Sequence, residues 1–227
     1  ATVRERAPQA VIALDNTWGA GIAFDAFALG IDVTAHALTK YPSGGGDVLM
    51  GAVTCRGGDG GEALYRKLAL CRSRVGHGVG MNDVELVLRA LPSMALRYAA
   101  QDAAGRAFAK WCGTRREFVR VLHPALPGSP GHEHWVSHCT AAAGLVTVEI
   151  DPRFGREQTD AFVDALELFR IGYSWAGPIS LVVPYDPKTI RGASSPYRGT
   201  LVRFCIGLEA IDDLIADAEL ALSVLAR

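Results

Sequence analysis

The chain has 227 residues, 49% of them hydrophobic, enough to bury the core of one or two domains. Lysine plus arginine (23) nearly balance aspartate plus glutamate (24), so there is no electrostatic footprint for nucleic acid or an anionic membrane surface, and the expected partner is a small molecule. Five scattered cysteines without a C-x-x-C pair argue against a disulfide framework or zinc ribbon and for a reducing cytoplasm, and no apolar run reaches the roughly 18 residues of a membrane span.

In chain order, Val11 to Leu14, Ile31 to Leu38 and Val48 to Thr54 are short apolar runs bounded by turn residues, which predicts three buried strands. Ser43-Gly44-Gly45-Gly46 is a loop, because consecutive glycines weaken helix and strand alike. Apolar residues at three- and four-residue spacing predict helices over 62–73 and 82–113, the second kinked or restarted at Leu91-Pro92-Ser93. A Pro-, Gly- and His-rich loop is predicted over 124–134. Then follow a half-buried strand at 145–150, a helix over 156–168, strands at 180–183 and 201–206, and a closing amphipathic helix over 210–225. Strands interleaved with helices give α/β or α+β layers, with the long helix near 82–113 as the joint between two parts.

Three residues stand out chemically. Lys40 directly follows an apolar strand and precedes a glycine loop, where burial would disfavour its ammonium form and lower its pKa, as a Schiff-base lysine requires. Asp15 ends a strand where α/β sheets place ligands; it could hold a pyridine nitrogen protonated, or serve only as a turn or helix-capping residue. Arg203 lies within an apolar strand, which suggests a paired buried charge, either structural or directed at a carboxylate.

Several motifs then carry a resemblance: Leu14-Asp15-Asn16-Thr17-Trp18; Thr39-Lys40-Tyr41 with Gly44 and Asp47; His123-Pro124-Ala125-Leu126-Pro127-Gly128; and Gly199-Thr200-Leu201-Val202-Arg203 with Ile206-Gly207-Leu208-Glu209. Their order and spacing resemble the cystathionine β-lyase branch of the Cys/Met-metabolism pyridoxal-phosphate enzymes. The resemblance implies an α/β fold type I (aspartate-aminotransferase-like) architecture, with residues 1–85 as the C-terminal part of the cofactor domain and 86–227 as the linking helix and the smaller α+β C-terminal domain. It implies pyridoxal 5′-phosphate as cofactor, with Lys40 forming the Schiff base, Asp15 pairing with the ring nitrogen and Thr39 bonding the phosphate. Arg203 matches the arginine that binds the substrate α-carboxylate. Tyr173-Ser174-Trp175 matches the β-lyase pattern, where γ-lyases and γ-synthases of the family usually carry Ser-Leu-Gly-Gly; Ser174 would contact the substrate carboxylate, Trp175 would shape the distal pocket, and Tyr173 would support them from behind.

The implied reaction is β-elimination on a thioether amino acid such as cystathionine, in a homo-oligomer that is a tetramer by family resemblance. There are departures: Gly45 and Gly46 replace the usual His-Ser, Ala37 stands where a phosphate-binding serine is common, and Pro178-Ile179-Ser180 lacks the usual glutamate. Family members are roughly 400 residues long and the match starts midway, so the sequence reads as a C-terminal portion. Its N-terminal half would lie upstream in the same chain or in a separate one, and without it the site would be inactive. Two rival readings are a metal site from His132, His134, His138 and Cys139, with exposed loop histidines as the ordinary explanation, and a non-catalytic fragment. Within the enzyme class, a γ-lyase or a broader cysteine-S-conjugate β-lyase is the alternative.

Overall fold

The computed structural model describes residues 2–225. After a short helix α1 (Thr2–Arg6), strands β1 (Ala13–Asp15), β2 (Val33–Ala37) and β3 (Gly51–Cys55) form a three-stranded sheet, β1 parallel and β3 antiparallel to the central β2. Helices α2 (Asp59–Val75) and α3 (Met81–Ala90) follow, then a 3₁₀ turn at Leu91–Ser93, then the 19-residue α4 (Met94–Cys112). The predicted restart at Pro92 is therefore observed: proline occupies an early position of the 3₁₀ turn, where its missing amide costs nothing.

The second half holds β4 (Phe118–Leu122), α5 (His132–His138), β5 (Leu145–Ile150), α6 (Arg156–Asp164), β6 (Arg170–Ile171), β7 (Leu181–Tyr185), α7 (Pro187–Arg191), a 3₁₀ turn at Gly192–Ser194, β8 (Leu201–Cys205) and α8 (Ile211–Leu222). Its five strands run β4-β5-β8-β7-β6, all antiparallel except β6 with β7. Helices α4 and α6 pack on this sheet, and α8 packs on both helices. Strand alternation explains the core: Val202, Phe204 and Ile206 face the helices and are fully buried, with Phe108 and Phe169 at 5.0 and 5.1 Å from the Phe204 ring. Leu201, Arg203 and Cys205 face the other way.

Several expectations are corrected. The first three runs are strands, but β1 and β3 are not buried on both faces: Ala13, Asp15, Gly51, Val53 and Thr54 are exposed, because a three-stranded sheet has too few neighbours here to cover both sides. Helix α2 buries none of its side chains, so its apolar spacing marks a face open in this chain. Helix α5 begins inside the predicted loop, and β4, β6 and α7 were not anticipated. Helix α6 stops at Asp164 instead of continuing to Leu168, because Asp217 of α8 accepts hydrogen bonds from the amides of Glu167 (2.9 Å) and Leu168 (3.0 Å), taking them out of the helical ladder.

Candidate functional site

Lys40 sits in the turn after β2. Its amide donates to Ala37 and its carbonyl accepts from Gly44, which closes a tight turn between β2 and the glycine loop. The Nζ donates to Ser174 Oγ at 2.9 Å and lies 5.0 Å from the centre of the Trp175 ring. Partial burial, reinforced by the nearby Arg203 cation, holds its pKa below that of an ordinary lysine; negative charge on Cys205 would act the other way. A larger fraction of free amine is what nucleophilic chemistry at this nitrogen needs.

Arg203 occupies the central strand β8. It donates to the Tyr173 carbonyl at 2.5 Å, stacks over Tyr185 with its guanidinium 5.4 Å from the ring centre, and makes no ion pair among the described residues. Its Nε is buried and without a hydrogen-bond partner. A planar cation without a carboxylate, one buried donor unused, suits an incoming carboxylate; the salt-bridged alternative raised by the sequence is absent among the described residues.

The loop bearing Tyr173, Ser174 and Trp175 ends at Ala176, a non-glycine residue at φ 67°, and its amide donates to Cys205 Sγ at 3.2 Å. Left-handed backbone at alanine costs about 1 kcal/mol, so the surroundings must hold it there. Trp175 packs edge-on against Tyr41, 5.8 Å between ring centres, while the exposed Tyr173 ring lies 6.2 Å from Tyr185. Tyr173 thus meets Arg203 through its backbone carbonyl and not through its side chain.

Asp15, at the end of β1, accepts from both the hydroxyl and the amide of Thr17 on Oδ1, leaving Oδ2 open. These two bonds, aided by His36, hold its carboxyl below the usual carboxylate range against a partial desolvation penalty, so it is ionised at neutral pH. The Thr17 hydroxyl also accepts from the amide of Ala37, tying the Asp15 turn to the strand that leads to Lys40. Thr39 is half-buried, with its Oγ1 accepting from the Met50 amide at 3.3 Å. Hence Lys40, Ser174, Trp175 and Arg203 form one cluster, Thr39 stands in the same turn as Lys40, and Asp15 in the turn after β1 is tied to β2 through Thr17. An amine with a lowered pKa, an ionised carboxylate with a free oxygen and an unpartnered arginine nitrogen together fit an aldehyde-bearing pyridine cofactor and an amino-acid substrate.

Residues 1–223 match the family described as Cys/Met metabolism PLP-dependent enzyme. The chain belongs to this family. It is 34% identical over 223 residues to cystathionine beta-lyase MetC of Escherichia coli, covering 96% of this chain and 55% of that protein. It is 32% identical to the L-alanine/L-glutamate racemase of Wolbachia pipientis wMel, covering 94% of this chain and 52% of that one. The structure superposes with a TM-score of 0.88 and 26% identity on cystathionine gamma synthase from Xanthomonas oryzae pv. oryzae in complex with aminoacrylate and cysteine, covering 99% of this chain and 59% of that chain. The chain spans about half the length of the curated relatives it matches. The fold is thus the fold type I arrangement expected from the motifs, and the Cys/Met family's cofactor is the one expected, pyridoxal phosphate.

Sequence reasoning missed Gln101, Tyr98 and Arg97 of α4 and Cys205, whose charge would act on the lysine. Helical spacing marked α4 as a packing element, and the polar residues on its buried face were the signal available. Of the four residues considered for a metal, three fall on α5, where His132 Nδ1 lies 2.7 Å from the Pro124 carbonyl and its ring stacks on Trp135. Among the described residues, no group of three His, Cys, Asp or Glu side chains is arranged to hold an ion.

Proposed function

We propose that this chain is the cofactor-anchoring and substrate-binding part of a carbon–sulfur lyase that performs β-elimination on a thioether amino acid such as cystathionine, giving homocysteine, pyruvate and ammonia. The observation that carries this is the Lys40 amine at 2.9 Å from Ser174, over Trp175 and beside an arginine with a buried, unpartnered nitrogen. In this reading Lys40 holds pyridoxal phosphate through its amine, Asp15 keeps the ring nitrogen protonated and Thr39 bonds the phosphate. When bound, the cofactor supplies an electron sink for the pair left on the substrate Cα. Arg203 binds the α-carboxylate through two parallel N–H donors and so fixes which Cα bond is aligned for cleavage. Ser174 adds a hydroxyl to that carboxylate, and Trp175 walls the side-chain pocket.

The Lys40 amine removes the Cα proton, the Cβ–S bond breaks with its electron pair leaving on sulfur, and Lys40 returns the proton to the thiolate. Hydrolysis of the remaining three-carbon amine yields pyruvate and ammonia. In this reading residues 1–85 belong to the cofactor part and 86–227 to the C-terminal part of an enzyme that works as a homo-oligomer. In the assembled protein, Lys40→Ala is expected to abolish the borohydride-reducible cofactor linkage and cystathionine turnover together; retention of either would overturn the assignment. A γ-elimination reading draws support from the likeness to a gamma synthase. Product analysis separates the two: pyruvate for β-elimination, 2-oxobutyrate for γ-elimination.

A further inference from the structure

The side chains on one face of α4 reach the backbone of each segment that carries a proposed site residue. Residues 97, 98, 101 and 102 share that face by helical spacing. Arg97 donates to the carbonyls of Tyr41 (2.8 Å), Pro42 and, at the end of α3, Ala90 (3.1 Å), gripping the turn directly after Lys40. The grip is close: Gly44 has φ 64°, and a Cβ there would lie 1.9 Å from Arg97 Nη1, so the glycine leaves room for the guanidinium. Tyr98, 1% exposed, donates its hydroxyl to the Trp18 carbonyl at 3.0 Å, in the turn after Asp15.

Gln101, also 1% exposed, donates through Nε2 to the carbonyls of Gly177 (2.8 Å) and Ile206 (3.2 Å). Gly177 directly follows the loop of Ser174 and Trp175, and Ile206 follows the strand of Arg203 and Cys205. Two carbonyl acceptors fix the amide's orientation, even though its Oε1 is left without a partner. One more contact locks the arrangement: Gly144 donates its amide to the Tyr41 hydroxyl at 3.2 Å, and a Cβ there would meet Ile206 O at 3.0 Å and Gln101 Cβ at 3.3 Å.

We infer that Arg97 and Gln101 are positioning residues with separate tasks: Arg97 aims Lys40 at the cofactor, and Gln101 sets the distance between the Ser174–Trp175 loop and the Arg203 strand, and with it the fit of the amino-acid substrate. This rests on the reading of Lys40 and Arg203 given above. The division follows from geometry, since among the described residues none of the side-chain hydrogen bonds of Gln101 reaches the lysine turn and none of those of Arg97 reaches the substrate loop.

The test uses the assembled, cofactor-loaded protein with two readouts: the fraction of pyridoxal phosphate trapped on Lys40 by borohydride, mapped by peptide mass spectrometry, and the affinity of an unreactive amino-acid analogue, alongside KM and kcat. Two hydrogen bonds lost in Gln101→Met are expected to weaken the analogue and raise KM by about tenfold, with trapping on Lys40 unchanged. Arg97→Met is expected to weaken pyridoxal phosphate binding and Lys40 trapping by about tenfold, with analogue affinity of the loaded fraction unchanged. Parallel losses in both readouts for both variants, or lowered melting temperatures with unchanged constants, would overturn the division of tasks. Should Gln101→Met fail to fold, Gln101→His keeps one N–H donor and decides: a raised KM with normal trapping supports the inference, and an unchanged KM or a parallel loss overturns it. Absence of trapped cofactor on Lys40 in the unsubstituted protein would instead overturn the proposed function.

Discussion

Lys40 is influenced by charges that its own sequence neighbourhood does not contain. Burial lowers its pKa first, and the Arg203 cation adds to the effect. Replacing Arg203 with glutamine removes one repulsive charge, so the Lys40 pKa is expected to rise; reductive ¹³C-methylation followed by NMR titration would check this, and a fall or no change would contradict it. His123 presents a second case. It is 1% exposed, its Nδ1 accepts from the Ala125 amide at 3.3 Å, and burial with the nearby Arg106 pushes its pKa down to about 4 from 6.5. A depressed histidine pKa means the unfolded chain takes up a proton that the folded one refuses. Stability therefore falls as the pH drops from 6.5 towards 4, by up to about 3 kcal/mol. Urea titrations at several pH values should show this loss, and His123→Gln should flatten it. Both residues were visible in the sequence as parts of motifs. Their environment was not, since Arg203 and Arg106 reach them only through the fold.

Among the elements, those whose signals are local were legible: the glycine loop, the restart at Pro92, and three strands of the second sheet, β5, β7 and β8. The end of α6 was not, because Leu166, Leu168 and Phe169 prolong an apolar spacing while the group that stops the helix is on α8. Asp217→Ala removes two charge-assisted bonds to the amides of Glu167 and Leu168 and is expected to cost about 3 kcal/mol in urea unfolding. A loss below about 1 kcal/mol would mean that the helix end is held by packing alone. Strands β1 and β3 fail as buried strands because a three-stranded sheet has too few neighbours here to cover Ala13, Asp15, Gly51, Val53 and Thr54. Of the candidate site, the sequence singles out the positions where a motif coincides with a turn, Asp15 and Thr39-Lys40. The scaffold face of α4 was not, since Arg97, Tyr98 and Gln101 read as ordinary helix residues until their carbonyl partners are known.

Across the whole molecule, the two sheets differ in how well they are buried. The second sheet closes around Phe108, Phe162, Phe169 and Phe204, all within 2% exposure, whereas Leu49 (91%), Val53, Tyr65, Met81 (85%) and Leu88 of the first half stand open. Hydrogen exchange on the chain by itself is expected to be slowest in β5, β8 and α4 and much faster in β1 to β3 and α2. Uniform protection would show that the open faces find cover. The pairing of Lys40 with Ser174 has its own consequence. The partners are 134 positions apart, and the intervening chain must cross from one sheet to the other before the amine meets its hydroxyl. During synthesis Lys40 leaves the ribosome many seconds before Ser174 exists, at ordinary rates of about 5–20 residues per second. If Lys40 holds the cofactor as proposed, capture in its final geometry is thus a late event in maturation. In refolding, the cofactor's absorbance at Lys40 should develop only in the last kinetic phase, after far-UV ellipticity has recovered.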